Sequence, residues 1–308
     1  MNVCSFLPAA TSMIYELGFQ DLLSGVTFEC PSDKPKVVRS YMENNQYSSK
    51  DIDEIVSRRK ARGESLYYID MELLENIKPD VIFTQEVCDV CQIGSRYVQK
   101  AIAGLKKQPK IITLVPRNLE DVFDNVLTIS KVLGKDREGE KYLSKLYSRV
   151  NNISNKLKMN KASVKKVMFM EWLNPIYNCG HWIPDQIAIA GGIDELSNRS
   201  GYSTVISWNR ILHYDPEIIV AAPCGFNVER TTKEISDLTT RKDWNELTAV
   251  KNEEVYLADA DLFTQPSTTL VDGIDLLAGL FHREIFEIPE RLKAKCMKWE
   301  NELITKLK

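Results

Sequence analysis

The placement of cysteine in this chain is its most direct hint of chemistry. Two of the seven cysteines, Cys88 and Cys91, form a CxxC pair just after the apolar run "DVIF". Such a pair can hold a metal, form a disulfide or carry out thiol redox chemistry. A structural zinc site would need a second pair at comparable spacing, and the sequence contains none. We interpret the pair as part of the rim of a cleft. The alternative that the pair shares a metal with Cys30 or Cys224 stays open.

The apolar runs alternate with helical patterns, which is typical of parallel βαβ units and predicts an α/β fold. The runs predicted as strands are "NVCSFL", "LLSGVTFEC", "DVIF", "PKIITLVP", "VKKVMFMEW", "PEIIVAAPCGF" and "EVYLADADLF". From Asn118 to about Met159 the pattern is helical throughout. This stretch is either an insertion in one continuous domain or a helix that joins two lobes. We favour an N-terminal lobe at 1–137, a bridging helix at 138–160 and a C-terminal lobe at 161–308.

Ligand sites of parallel α/β sheets lie outside the carboxyl ends of the strands. The residues that follow the predicted strands are therefore candidate ligand contacts: Pro8, Glu29, Cys30, Gln85, Cys88, Cys91, Trp172, His181, Trp182, Cys224 and Phe263. Five of the seven cysteines fall on this predicted edge: Cys30, Cys88, Cys91, Cys179 and Cys224. Cys4 falls within a strand and Cys296 within a predicted C-terminal helix. We expect the five thiols, although distant in sequence, to converge on one mouth.

Several of these side chains could bind a metal or a flat ligand. Imidazole and thiolate both suit late first-row metals. The candidate metal ligands are His181, Cys88, Cys91 and Cys224. A loop histidine is more often hydrogen-bonded or solvated, so both interpretations stay open for this residue. The aromatic residues Trp172, Trp182 and Phe263 form either an apolar ligand face or ordinary rim packing.

Composition and motifs exclude several classes of protein. A formal net charge of −3 gives no electrostatic reason to expect nucleic acid or an anionic membrane as partner. No apolar run approaches the roughly 20 residues that span a bilayer. The sequence has no G-x-S-x-G, Walker or G-x-G-x-x-G motif at a suitable position, and we find no catalytic constellation. Asp185, Asp194 and Glu195 are predicted to be helix-terminal charges.

The N-terminus shows no signal peptide. As it stands, the sequence predicts a cytoplasmic protein with reduced cysteines. A trimmed start would give the same pattern in an extracytoplasmic protein.

The chain resembles periplasmic-binding-protein-like domains of the iron-siderophore and vitamin B12 class, in particular the cobalamin-binding substrate-binding proteins of ABC transporters. The resemblance covers nearly the whole chain. It rests on the segments "VCSFLPAATSMIYELG", "GVTFECPSDKP", "KPDVIFTQEVCDVC", "MFMEWLNPIYNCGHWIPDQIAIAGG", "ISWNRILHYDPEIIVAAPCGF" and "VYLADADLFTQPSTTLVDGIDLLAGL".

This resemblance implies the class III periplasmic-binding-protein fold, in which two Rossmann-like lobes are joined by one long helix and the ligand binds between them. The corrinoid-facing positions would include Pro8, Ala9, Cys30, Gln85, His181, Trp182 and the segment 261–263. A glutamate on each lobe would face a permease, and Glu86 and Glu229 are the candidates.

The leading hypothesis is a non-enzymatic protein that captures cobalamin or a related corrinoid in the inter-lobe cleft, for an ABC transporter or as an intracellular carrier. Its metal would be the cobalt of the corrinoid. The alternative is an intracellular metal- or thiol-dependent enzyme, in which the cleft cysteines hold zinc or iron or supply a nucleophile. In either case the partner is a small molecule, and the permease is expected only for the transporter.

Overall fold

The structure is a computed structural model that describes residues 1–43, 45, 47–86 and 93–300. Cys88 and Cys91, and with them the predictions for the CxxC pair, lie outside the described residues. The chain divides into two compact units. The first unit consists of Met1–Pro116 and Glu120–Leu143, and the second of Arg117–Leu119 and Ser144–Lys308.

The first unit contains a six-stranded sheet in the order β4-β3-β2-β1-β5-β6. Its strands are β1 (Val3–Ser5), β2 (Leu23–Thr27), β3 (Lys36–Ser40), β4 (Tyr67–Ile69), β5 (Val81–Gln85) and β6 (Lys110–Leu114). All neighbours are parallel except β3 and β4. Its helices are α1 (Pro8–Glu16), α2 (Ser49–Ala61), α3 (Met71–Ile77) and α4 (Ser95–Ile102). Every residue of β5 is buried, as expected for a strand covered on both faces.

Two long helices follow where the sequence predicts a helical stretch. They are α5 (Leu119–Val132) and α6 (Asp136–Met159). Gly134 separates them with φ +70°, a left-handed conformation that glycine adopts without strain. The division between the two units falls within α6. The assignment of 138–160 as a bridge stays a prediction.

The second unit contains a sheet in the order β10-β7-β12-β13-β14, with β8 paired to β7. A separate parallel pair is formed by β9 and β11. The strands are β7 (Lys165–Leu173), β8 (Ile176–Asn178), β9 (Gly180–His181), β10 (Gly192–Ile193), β11 (Asn198–Arg199), β12 (Ile218–Ala221), β13 (Val255–Ala258) and β14 (Cys296–Lys298). The helices are α7 (Ile183–Ile189), α8 (Trp208–Tyr214), α9 (Val228–Glu234), α10 (Ser236–Thr239), α11 (Thr248–Lys251), α12 (Leu270–Phe281) and α13 (Glu290–Lys293).

The α/β class with largely parallel sheets is confirmed. One local prediction is wrong: Cys296 begins strand β14, which pairs antiparallel with β13, and does not lie in a helix. Asp194, predicted to be a helix-terminal charge, instead follows strand β10 and is only 7% exposed. Its carboxylate instead accepts hydrogen bonds from the backbone N–H groups of Phe169 (2.9 Å) and Leu196 (2.9 Å). These hydrogen bonds offset part of the free-energy cost of burying the carboxylate.

Candidate ligand-binding site

The carboxyl ends of β7, β12 and β13 form one edge of the second unit, because these strands are parallel neighbours. Strand β12 is followed by Cys224 and Phe226, and helix α9 begins shortly after them. The N–H of Cys224 donates to the carbonyl of Glu171 on β7 (3.0 Å). The N–H of Ala260, after β13, donates to the carbonyl of Phe226 (2.9 Å). Backbone bonds therefore tie the three strand ends together.

A loop after β8 brings His181 to this edge. We call residues 179–182 and 198–205 together the His181 loop. The two oxygens of the Glu171 carboxylate accept from the N–H of Gly180 (2.8 Å) and from the hydroxyl of Ser203 (2.6 Å). The N–H of His181 donates to the carbonyl of Gly201 (2.7 Å), in register with the β9–β11 pairing. One carboxylate thus holds both segments of the loop.

The imidazole of His181 lies among aromatic rings. Its centroid is 5.2 Å from a ring of Trp182 in a stacked arrangement and 5.4 Å from Tyr202 in an edge-to-face arrangement. The residue is half-buried, whereas Tyr202 is 65% exposed. Burial lowers the pKa of His181 because it disfavours the charged imidazolium. The ring is therefore neutral at pH 7.

A second aromatic group lies at the end of β7. The half-buried Trp172 packs on Phe226, with ring centroids 5.2 Å apart. The guanidinium of Arg230 lies over the ring of Phe226, 3.5 Å from its centroid. The indole N–H of Trp172 is buried and has no partner among the described residues. The Trp172 ring adds apolar area to the same edge.

The other two predicted aromatic contacts support this edge from inside. Trp182 is 4% exposed, and its indole N–H donates to the carbonyl of Phe263 (2.6 Å). Phe263 is fully buried, and its ring packs edge-on against Phe169 at 5.0 Å. Because the ring of Phe263 has no exposed area, it supports the wall and does not present a face to a ligand.

Two of the five thiols that were expected to converge on one mouth are buried. Cys179 is fully buried, 3.6 Å from a carboxylate oxygen of Asp194, and burial raises its pKa well above the usual value. Cys30, in the first unit, is 3% exposed and donates to the hydroxyl of Thr11 (3.2 Å), and burial raises its pKa as well. Cys224 is half-buried. Cysteine is a small hydrophobe that packs well beneath a strand end, so the strand-end position did not guarantee access.

Within the described ranges, no group of three or more histidine, cysteine, aspartate or glutamate side chains could hold a metal ion. Of the candidate metal ligands, His181 and Cys224 are described, and both lie in the second unit.

The candidate contacts of the first unit are mostly buried. Pro8 and Ala9 begin α1, where the fixed φ of proline suits the first helical turn. Gln85, the last residue of β5, is 4% exposed. Glu29, after β2, is the exposed one. Among the predicted contacts of this unit that the structure describes, one side chain is therefore accessible, and the others offer backbone positions.

Sequence reasoning missed two contributors to the edge in the second unit. Tyr202 follows the short strand β11, which is not among the strands predicted from the sequence, and it carries no motif. Glu171 is not among the predicted contacts, whereas the structure shows that it organises the His181 loop. Glu171 is the first polar residue after the fully buried run 167–170 of β7. This position could have indicated that it lies at the strand end, outside the buried core.

A groove of about 430 Å³ elsewhere in the second unit contains none of the predicted contacts. Its lining includes Leu196, Arg210, His213 and Tyr214.

Comparison with known proteins fits this architecture. Residues 10–262 match the family described as periplasmic binding protein. The chain belongs to this family. Its two α/β units have the class III fold of periplasmic binding proteins, as predicted from the resemblance. None of the described helices is long and apolar enough to cross a bilayer.

The relatives of the chain are distant. An uncharacterized ABC transporter substrate-binding lipoprotein of Bacillus subtilis (strain 168), YvrC, is 21% identical over 93% of this chain and 81% of that protein. The vitamin B12-binding protein of Vibrio cholerae serotype O1 is 21% identical over 89% of this chain and 86% of that protein. The crystal structure of a periplasmic heme-binding protein from Pseudomonas aeruginosa matches with a TM-score of 0.68 and 14% identity, covering 94% of this chain and 96% of that one. At these identities the structural likeness shows the fold alone.

Proposed function

We propose that this protein is a non-enzymatic substrate-binding protein that captures cobalamin or a related corrinoid. The observation that carries the proposal is the group of half-buried rings at the edge of the second unit, Trp172 and His181, with the exposed Tyr202 beside them. Rings of this kind supply apolar area at a low cost in side-chain entropy. A corrin is large, flat and largely apolar, so it suits such a surface.

The relatives support the same ligand class. One is named for vitamin B12 and another for heme, and both of these ligands are metal-bearing macrocycles. The aromatic edge fits this shared chemistry, while the identities are too low to transfer one ligand. The choice of a corrinoid therefore rests on the sequence resemblance and needs a direct test.

The ligand contacts in the first unit are part of the proposal. Glu29 offers an exposed carboxylate, whereas Gln85, Pro8 and Ala9 are buried and could contribute through their backbone. We also propose delivery to an ABC permease, as the names of the relatives suggest for those proteins. Glu229 is 77% exposed, paired with Lys233 at 2.7 Å, and is a candidate contact on α9.

Calorimetric titration with cobalamin, cobinamide, heme and ferric citrate tests the proposed ligand. We expect the corrinoids to bind most tightly. Replacement Trp172→Ala should weaken corrinoid binding by about 1–3 kcal/mol, the usual effect of truncating a central aromatic contact. Trp208→Ala is the matched control, because Trp208 is also half-buried but lies on α8, with its N–H donating to the carbonyl of Lys242. If no corrinoid binds, or if both variants lose affinity equally, the proposal is wrong.

A further inference from the structure

The backbone of His181 adopts a conformation that a residue with a side chain rarely takes. Its φ is +53°, in the left-handed region. For a non-glycine residue this costs free energy, and it persists only where the surroundings enforce it. Here the N–H of His181 donates to Gly201 (2.7 Å), and its carbonyl accepts from the N–H of Ser200 (3.1 Å). The loop therefore fixes the direction of the imidazole.

The carboxylate of Glu171 holds the backbone of the His181 loop in this conformation. Its carboxylate bonds Gly180, the neighbour of His181, and also Ser203, beside Tyr202. A side chain at Gly180 would meet the carbonyl oxygen of Gly201 at 2.5 Å, so only glycine allows this approach. The two segments that flank the imidazole are thus locked to one charged group.

The imidazole itself is available to a ligand. In the part of the chain that the structure describes, no residue hydrogen-bonds either of its ring nitrogens. The ring is packed between Trp182 and Tyr202, which hold its plane in place. A macrocycle fills the four equatorial positions of its own metal, so a single protein nitrogen can complete an axial position.

We propose that a ring nitrogen of His181 coordinates the central metal of the bound macrocycle, and that Glu171 positions it for this bond. The inference rests on the proposed function and narrows its ligand class to metal macrocycles with an exchangeable axial ligand. With an aquo-corrinoid, a Co–N bond forms as the Co–O bond to water breaks. One water leaves, and the oxidation state of cobalt does not change.

Absorption spectroscopy with two corrinoids tests the bond. Aquocobalamin has one exchangeable axial water, whereas both axial positions of cyanocobalamin are firmly occupied. On binding the wild-type protein, aquocobalamin should show the band shift that follows replacement of water by an imidazole nitrogen. Cyanocobalamin should bind without a shift. The protein-to-corrinoid affinity is measured in parallel by calorimetry.

The decisive variant is His181→Gly, because glycine adopts a positive φ without strain. We expect this variant to be at least as stable as the wild type but to bind aquocobalamin without the shift, and at least about tenfold more weakly. Added imidazole should restore the shift in this variant. Affinity for cyanocobalamin should also fall, because the apolar contact with the ring is lost, but by less than the affinity for aquocobalamin.

Glu171→Gln tests the positioning role. A glutamine cannot accept two hydrogen bonds with two equivalent oxygens, so the loop should loosen. We expect affinity for aquocobalamin to fall about tenfold, and clearly more than the affinity for cyanocobalamin, which loses only apolar contact with the loosened loop. Equal losses for both ligands would show a merely structural role.

The possible failures are distinguishable. If the wild-type protein binds no corrinoid, the proposed function is wrong. If it binds aquocobalamin with the same spectrum as His181→Gly, the function stands and the coordination by His181 is wrong.

Discussion

Gly180 lies where the two segments of the His181 loop approach each other closely. A Cβ at this position would lie 2.5 Å from the carbonyl oxygen of Gly201 and 2.7 Å from the nitrogen of Ser203. Both are backbone atoms, which cannot rotate away as a flexible side chain would. The contact therefore has to be relieved by moving the loop itself.

We predict that Gly180→Ala lowers the free energy of unfolding by about 1–3 kcal/mol, as overpacking of a tight site does. Urea denaturation measures this change. Gly201→Ala is the matched control in the same loop, because its Cβ would meet no atom closer than 3.6 Å. Comparable destabilisation in the two variants would contradict the close approach.

Asp194 gives a pH dependence that can be measured. Burial raises its pKa from 3.8 to about 6, although backbone N–H donors oppose this shift. Between these pH values the folded protein holds a proton that the unfolded chain has released. The contribution of Asp194 to stability should therefore fall as pH rises from about 4 to about 6, by about 3 kcal/mol at most for two pKa units.

We predict that Asp194→Asn removes this fall, because the amide does not titrate. The test is the free energy of unfolding from pH 4 to 7 in both proteins. Asp80→Asn is a control whose effect on the pH dependence of stability should have the opposite sign. A hydrogen bond from Lys107 lowers the pKa of Asp80, whereas burial raises that of Asp194. The prediction fails if the difference between wild type and Asp194→Asn is independent of pH.

The strand-end rule predicted the positions of Trp172, His181 and Cys224 because it depends only on apolar runs and the order of strands. It could not predict that Cys30 and Cys179 are buried. A residue after a strand can turn inward or outward, and the choice depends on its neighbours. For these two thiols the neighbours are Thr11 and Asp194, which lie 19 and 15 residues away in the sequence, outside the local pattern around each cysteine.

At the scale of elements, the predictable strands are those whose burial is continuous. Strand β12 is fully buried, and its apolar run marks it in the sequence. Strand β3 is not among the predicted strands, because Lys36 and Arg39 interrupt its short apolar pattern. Strand β14 follows a helical pattern and is defined by pairing with β13, which the local sequence does not encode.

Helix α6 is tied to the C-terminal helices by a cluster of charges in the second unit. Arg149 on α6 hydrogen-bonds Asp272 and Asp275 on α12. Arg291 on α13 bonds the same two carboxylates, at 2.7 and 3.2 Å. Burial alone would raise the pKa of Asp272, but the hydrogen bonds from both arginines outweigh it and lower the pKa. The cluster therefore stabilises the fold at neutral pH and loses this effect in acid.

We predict that Arg149→Met destabilises the protein by about 1–3 kcal/mol, a value reduced from that of a fully buried pair because Arg149 is 36% exposed. Arg291→Met should cost less, because Arg291 is 54% exposed and lies on a short helix. Thermal unfolding at pH 7 and at pH 3 measures both, and the two variants should approach the wild type in acid. A larger effect of Arg291→Met would contradict this ranking.

At the scale of the whole molecule, each unit closes a hydrophobic core of its own. Ile82 belongs to the cluster of the first unit and Ile219 to that of the second, and both are fully buried. All five tryptophans, Trp172, Trp182, Trp208, Trp244 and Trp299, lie in the second unit. Tryptophan fluorescence therefore reports on one unit, whereas far-UV circular dichroism reports on both.

We predict that Ile219→Ala and Ile82→Ala each destabilise their own unit by about 2–5 kcal/mol, since both truncate a fully buried isoleucine. Ile219→Ala should move the urea midpoint seen by fluorescence. Ile82→Ala should move part of the transition seen by circular dichroism and leave the fluorescence midpoint nearly unchanged. If the two variants shift the fluorescence midpoint equally, the units unfold as one cooperative body, and a stability change in one unit could not be assigned from tryptophan signals.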